Sequence, residues 1–362
     1  MGESGKKKVN LAFQGGGSHG AVSWGVADRL LECGLIEVDA ISGTSAGAVN
    51  AAALAYGLHK GGNEGARESL ETLWRRISDA GKLYSPVRGN PFPFAFGGGD
   101  MLNKMSYHMF DAVTRTFSPY QLNPFDVNPL KDILDSCIDF ESLQNCKETK
   151  LFVSATNVRS GKVHVFECHE MSADVVCAST CLPFLFKAVE IEGQHYWDGG
   201  YMGNPVLFPF FYEADSSDII IVHVNPIERD EVPTNASDIM NRINEISFNS
   251  SLLRELRAIS FVHKLLDDGW LKEEFRDKLR DVRIHSVRSD IPMKEYDIAS
   301  KFRTDWNFLT TLRDKGRDIA SEWLSENYDH IGKQSSVNLK QMFATDEEKA
   351  AAARKKMATA AE

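Results

Sequence analysis

Short apolar runs alternate with amphipathic stretches over the first two thirds of the chain. Residues 9–13 form an apolar run with strand character, closed by Gly15, Gly16 and Gly17. Residues 21–33 then place Val22, Val26, Leu30 and Leu31 at helical spacing, and Gly34 stands where a C-terminal stop is expected. A second apolar run at 38–42 leads into Gly43-Thr44-Ser45-Ala46-Gly47 and an alanine-rich helical segment at 48–58. Strand, glycine turn and helix, repeated in that order, is the rhythm of parallel β-α units. Further strands are expected at 151–156, 163–167, 187–192, 195–197 and 219–224, and helices at 64–78, 101–116, 129–138 and 174–180. Residues 84–99, rich in proline, glycine and phenylalanine, break the rhythm and read as an irregular insertion. Past Pro233 long helical patterns at 237–266 and 304–327 bracket one strand at 283–287.

These patterns predict a flexible N-terminus at 1–7, an α/β core at 8–226 with an insertion at 84–128, and a mainly helical C-terminal extension at 227–344 packed on that core. The alanine- and charge-rich tail at 345–362 is expected to fray or stay disordered. Hydrophobic residues are 43% of the 362 and charged residues 25%, ordinary globular usage that excludes a collagen-like or wholly disordered chain. Acidic residues number 51 against 41 basic ones, a net charge of −10, which makes nucleic acid an unsuitable partner. Any membrane contact is expected to be peripheral, through apolar loops. No secretory signal or membrane-spanning apolar run is visible, so a cytoplasmic location is expected, with signal-independent secretion left open. The six cysteines include no C-x-x-C pair and read as reduced, mostly buried thiols. No metal-ligand spacing such as H-E-x-x-H occurs, and neither metal nor cofactor is expected.

Two glycine turns carry the candidate chemistry. Residues 43–47 match G-x-S-x-G between a strand and a small-residue helix, the setting of a nucleophile elbow, with Ser45 as the candidate nucleophile flanked by Gly43 and Gly47. Gly15, Gly16 and Gly17, with Ser18, His19 and Gly20, form a run of amides at a helix start suited to an oxyanion or a phosphate. Gly15, Gly17 and Gly20 also satisfy G-x-G-x-x-G, with Asp39 at the distance of a ribose-binding acid, so a dinucleotide-binding protein is an alternative; it leaves the serine turn unexplained. A serine needs a base. His19, His195 and His223 have no evident catalytic setting, and Asp198 in Asp198-Gly199-Gly200, at a strand end, is the better candidate.

Taken in order, G-G-G-x-x-G, G-x-S-x-G and D-G-G resemble the patatin-like phospholipases over roughly residues 8–226, with the proline-bearing segment at 178–183 in keeping. The resemblance implies a three-layer α/β/α core with a mainly parallel sheet. It also implies a lipid acyl hydrolase acting on carboxylic esters of phospholipids or lysophospholipids, with Ser45 as nucleophile, Asp198 as general base and the Gly15, Gly16 and Gly17 amides as oxyanion hole. His19, Gly20, Gly43, Gly47, Gly199 and Gly200 are the supporting motif positions. His19 stands where many members carry arginine or lysine, so a permanent charge beside the oxyanion is in doubt; neutral donor, cation below about pH 6.5 and solvent-facing helix start remain open. A catalytically idle scaffold binding lipid or a partner is a third reading. Phe92, Phe94 and Phe96, and the run 207–211 with Phe208, Phe210 and Phe211, either line an acyl cleft or pack on one another.

Overall fold

The computed structural model describes residues 5–84, 113–114, 116–276 and 278–343. The strands β1 (Lys7–Phe13), β2 (Ile36–Thr44), β3 (Lys150–Asn157), β4 (Val163–Glu167), β5 (Val189–Ile191), β6 (Gln194–Asp198), β7 (Asp218–Val222) and β8 (Arg283–Val287) form one sheet. Its order is β5-β6-β3-β2-β1-β7-β8, with β4 also paired to β3. From β3 through β2, β1 and β7 to β8 the strands run parallel. β4 and β6 are antiparallel to β3, and β5 is antiparallel to β6.

The strands are apolar on both faces because helices cover both. Val9, Leu11 and Phe13 of β1 and Ile220 and Val222 of β7 enter one core cluster, shared with α1 (Gly20–Glu32), α2 (Ala46–Tyr84) and α8 (Trp306–Asn327). Ala12, Ile219 and Ile221 face the other way, onto Leu207 and Phe210 of the segment containing α6 (Phe208–Glu213) and onto Leu252, Leu256 and Ile259 of α7 (Ala236–Asp267). Helix, sheet and helix layers thus follow from the period-two alternation of buried residues. The short helices α3 (Pro129–Cys137), α4 (Phe140–Gln144) and α5 (Ala173–Ser179) join β2 to β3 and β4 to β5. No helix among the described residues is long and apolar enough to cross a membrane.

The helices expected at 48–58 and 64–78 are two halves of α2, separated by Gly61 and by Gly62 at φ 61°. That left-handed conformation suits glycine, and the halves then fold back until Gly57 lies against Ala66. Strand β8 begins and ends where the pattern places it. Hidden from the pattern was its pairing with β7, which extends the sheet into the C-terminal third. Helix α8 crosses α1 closely, since a methyl on Gly25 would overlap the Arg313 carbonyl and one on Gly316 the Val22 carbonyl. The insertion with Phe92, Phe94 and Phe96, most of the helix expected at 101–116, and the tail at 345–362 lie outside the described residues.

Asp218 anchors the β7–β8 edge: its carboxylate accepts from Arg283 Nε at 2.9 Å and Nη2 at 2.7 Å, from His285 Nε2 at 3.0 Å and from the Gly332 N–H at 2.9 Å. Burial pushes this carboxyl up, but the three donors outweigh it and hold it well below the usual carboxylate range. Its stabilisation is therefore complete above the unfolded-state pKa of about 3.9 and is lost as pH falls toward the lower folded value. Asp218→Asn is expected to cost ~3 kcal/mol at pH 7, read by urea unfolding, with a smaller loss of stability on acidification than the unaltered chain shows.

Candidate active site

β1 and β2 are parallel neighbours, so the turns that follow them emerge at the same end of the sheet. Ser45 occupies the second turn at φ 55°, a strained conformation for a non-glycine residue, and its N–H donates to Ser179 Oγ at 2.9 Å. A methyl on Gly43 would overlap the Gly47 carbonyl, and one on Gly47 the Phe13 carbonyl. Both glycines of the G-x-S-x-G motif are thus required by backbone contact, and α2 begins at Ala46, directly behind the serine.

Asp198 ends β6, which pairs with β3 so that Asp198 lies opposite Ala155. Its N–H donates to the Cys181 carbonyl at 2.7 Å, its carbonyl accepts from Thr156 Oγ1 at 2.8 Å, and its Oδ1 accepts from the Gly200 N–H at 2.7 Å. Gly199 fits against the Ser154 carbonyl and Gly200 against the Phe248 ring, which explains both glycines after the acid. Asp198 Oδ2 has no hydrogen-bond partner of standard geometry among the described residues. The Ser45 hydroxyl nevertheless adjoins the carboxyl closely enough to favour its ionised form. Complete burial dominates and raises Asp198 to about 7, against the opposing effects of the Gly200 N–H, the Ser45 hydroxyl and the Lys301 charge. Ser45 keeps 8% exposure and Asp198 none, so the serine is the member that can meet a substrate.

The first glycine turn is tied down by amides that no sequence motif announces. Gln14 Oε1 accepts from the Val224 and Asn225 N–H groups at 2.8 and 3.0 Å, and Asn225 Nδ2 donates to the Gly15 carbonyl at 2.6 Å. The Gly15 N–H donates to Asn204 Oδ1 at 2.7 Å, so of the three amides expected to form the oxyanion hole this one is already engaged. Gly16 and Gly17 remain, Gly17 at φ 59° with its Cα pressed on the Lys301 carbonyl. Gly20 packs against Ala46, joining the two turns.

His19 does not face solvent. It is buried, with Nε2 2.7 Å from Ser300 Oγ and its ring against the paired rings of Tyr296 and Phe308, and burial together with the Lys301 charge lowers it to about 3, which removes the cationic reading. His195 sits half-buried beside Glu190, and His223 is buried with Nε2 3.1 Å from Ser286 Oγ, lowered by burial to about 4. Asp39 is no ribose ligand: it is the extra residue at a register shift between β1 and β2, bound to Lys8 at 3.1 Å and to the Asp215 and Ser216 N–H groups at 2.6 and 2.7 Å. That tie overturns the dinucleotide alternative at its acidic residue. Phe210 is core, edge-on to Phe152, whereas Phe208 is partly exposed. Chain spacing misses one metal-type grouping, His59, Cys146 and Glu148, whose ligand atoms lie within 4.8 Å of one another; Glu148 there accepts from the Cys146 thiol at 3.4 Å and lies 3.4 Å from His59. Cys181, beside Asp198, is a free buried thiol pushed by burial to about 12.

No curated protein matches the chain. Among solved structures, VipD from Legionella pneumophila is 16% identical at a TM-score of 0.40, over 89% of this chain and 67% of VipD. Full-length ExoU, solved with full-length SpcU from the type III secretion system of Pseudomonas aeruginosa, is 14% identical at a TM-score of 0.33, over 89% of this chain and 53% of ExoU. This chain therefore spans about half the length of ExoU. The family model for patatin-like phospholipase matches residues 11–211, which takes in both glycine turns, Ser45 and Asp198. With the match covering more than half of its length, the chain belongs to the patatin-like phospholipase family.

Proposed function

We propose that the chain is a lipid acyl hydrolase that cleaves carboxylic esters of phospholipids or lysophospholipids through a Ser45–Asp198 dyad and an acyl-enzyme. The observation that carries this reading is Ser45, held at φ 55° on a rigid turn, against a fully buried carboxyl raised to about 7. An ordinary aspartate is too weak a base for a serine hydroxyl at neutral pH; burial brings this one toward the working pH, where general-base catalysis is most effective.

In the forward step the Asp198 carboxylate takes the Ser45 proton while Oγ bonds to the ester carbonyl carbon. The negative charge moves to the former carbonyl oxygen, for which the Gly16 and Gly17 N–H groups and the start of α2 are the assigned partners in this reading. Collapse of this intermediate breaks the ester C–O bond, and the proton on Asp198 passes to the departing alcohol. Water then repeats the sequence on the acyl-Ser45 ester and releases the fatty acid. Exposed apolar side chains suit a substrate held in a lipid aggregate: Phe125, 89% exposed, with Phe117, Tyr120, Leu122 and Val127, lies near the chain that links α5 to β5, where Phe184 is also exposed. Lys187 Nζ donates to the Pro124 carbonyl at 2.9 Å and the Ala188 N–H to Tyr120 Oη at 3.4 Å, joining the two segments.

A fluorophosphonate probe is expected to label the chain at Ser45, and Ser45→Ala to abolish both labelling and release of fatty acid from lysophospholipid; labelling that persists in the variant overturns the nucleophile. Asp198→Asn is expected to fold and to lose at least ~100-fold in kcat, and the unaltered chain to lose activity as pH falls through about 7. Because the folded pKa lies above the unfolded value of about 3.9, the carboxyl disfavours folding increasingly as pH rises from about 4 through 7. Asp198→Asn should therefore raise Tm most at pH 8, by less at pH 5, and leave it nearly unchanged below about pH 4, measured by differential scanning calorimetry.

A further inference from the structure

Lys301 belongs to the turn Ala299–Phe302, which docks on the first glycine turn through two successive residues. Ser300 Oγ meets His19 Nε2 at 2.7 Å across 281 residues of chain, and the Lys301 carbonyl lies against the Gly17 Cα. The Lys301 ammonium turns inward. It donates to Asn225 Oδ1 and Asn244 Oδ1, both at 3.1 Å, and lies 5.9 Å from the centre of the Phe248 ring. The same ring abuts Gly200, whose N–H binds Asp198 Oδ1, so the amine and the residue that binds the carboxyl meet one aromatic side chain.

Both oxygens that Lys301 touches belong to neutral amides, and no carboxylate among the described residues forms an ion pair with it. Glu245 on α7, the nearest rival anion, is already engaged by Arg229 at 2.5 Å and by Arg242 at 3.1 Å. His19, from the glycine turn, is neutral, and on the lysine's own segment Arg303 is paired with Asp305 at 3.1 Å. The charges gathered here are thus three cations, Arg229, Arg242 and Lys301, against two carboxylates, Glu245 and Asp198. Part of Lys301 is accessible, yet protein surrounds its ammonium; desolvation lowers the amine to about 8, resisted by Glu245 and Asp198 and assisted by Arg229. A desolvated cation without an ion pair is costly, and of the two carboxylates that act on Lys301 the one without an ion pair is Asp198.

We propose that Lys301 is a positioning residue of the candidate site, supplying from the C-terminal third of the chain the charge that holds the buried Asp198 as a carboxylate. That Asp198 then serves as a base rests on the function proposed above; the electrostatic coupling itself does not. The placement also suits the proton transfer. When the Ser45 proton reaches Asp198, negative charge leaves the carboxylate for the oxyanion beside the glycine turn, and the field of Lys301 serves both states without rearrangement. The other groups facing Asp198 are the Cys181 thiol, the Tyr201 hydroxyl and Ser45, none of them cationic.

The test is a direct titration of Asp198 in the full chain, by NMR of 13C-labelled aspartate carboxyls assigned with Asp198→Asn. The expected midpoint is near 7 in the unaltered chain, higher by about half a unit or more in Lys301→Met, and restored in Lys301→Arg. Asn244→Asp, which neutralises the amine without removing it, should shift the midpoint the same way and serves where Lys301→Met does not fold. A midpoint unmoved or lowered in a folded Lys301→Met, or in Asn244→Asp where only that variant folds, overturns the proposal. The acid limb of fluorophosphonate labelling, recorded on the same variants, should follow the NMR midpoint. Failure of the serine reading shows separately, as labelling that survives Ser45→Ala, and leaves the titration decisive for Lys301.

Discussion

Two stretches of backbone, at the ends of β1 and β2, approach with no space for a side chain between them. Gly47 rests on the Phe13 carbonyl, Gly15 on the Thr44 carbonyl and Ser45 Cβ, and Gly20 on Ala46. Only parallel strands that are adjacent in the sheet deliver their turns to one point in this way. Everything around the candidate site serves that contact. Asn225, beyond β7, and Asn204, in the loop between β6 and α6, lock the first turn together with Gln14, Ser179 locks the second from α5, and the Thr44 and Ser154 hydroxyls share the Gly203 carbonyl. The strain at Ser45 persists because its neighbours leave the chain no other path.

Charge is arranged on the same economy. Burying a carboxyl costs several kcal/mol unless something answers it, and Asp198 receives one N–H bond from Gly200 and a cation at a remove instead of a contact ion pair. The outcome is a group balanced near neutrality. Asp218 shows the opposite solution: a carboxyl given an arginine fork, a histidine and an amide is locked into its charged form and serves only to hold the sheet edge. The difference between an acid locked in its charged form and one raised to about 7 here lies in how many donors the fold supplies.

The legibility of the sequence follows from the range of each interaction. Strands β4 and β8 were readable to the residue, and β1, β2 and β3 to within a residue or two, because apolar periodicity is local. Although only Gly43 meets backbone of its own motif, the Gly47 carbonyl, and the others answer to partners elsewhere in the chain, the glycines of the site were readable as motif positions. Lys301, Asn204 and Asn225 were not, since a lysine or asparagine becomes special only through partners far away along the chain, such as the Gly15 amide. Which of the three readings of His19 holds was hidden for the same reason: nothing within the glycine turn reveals that Ser300, Tyr296 and Phe308 close over it. The pairing of β8 with β7 likewise depends on a neighbour that periodicity does not name.

The strand order also dictates when the molecule can assemble. β1 lies at the middle of the parallel sheet, between β2 and β7, and the helix that follows it is covered by α8, which ends at Asn327. The early strand and helix are therefore enclosed late, and α1 must wait until α8 has been made before its apolar face has a lasting partner. Contacts of such long sequence separation slow folding and prolong the exposure of sticky surface. A fragment cut short before α8 keeps both glycine motifs while lacking the helix that covers α1.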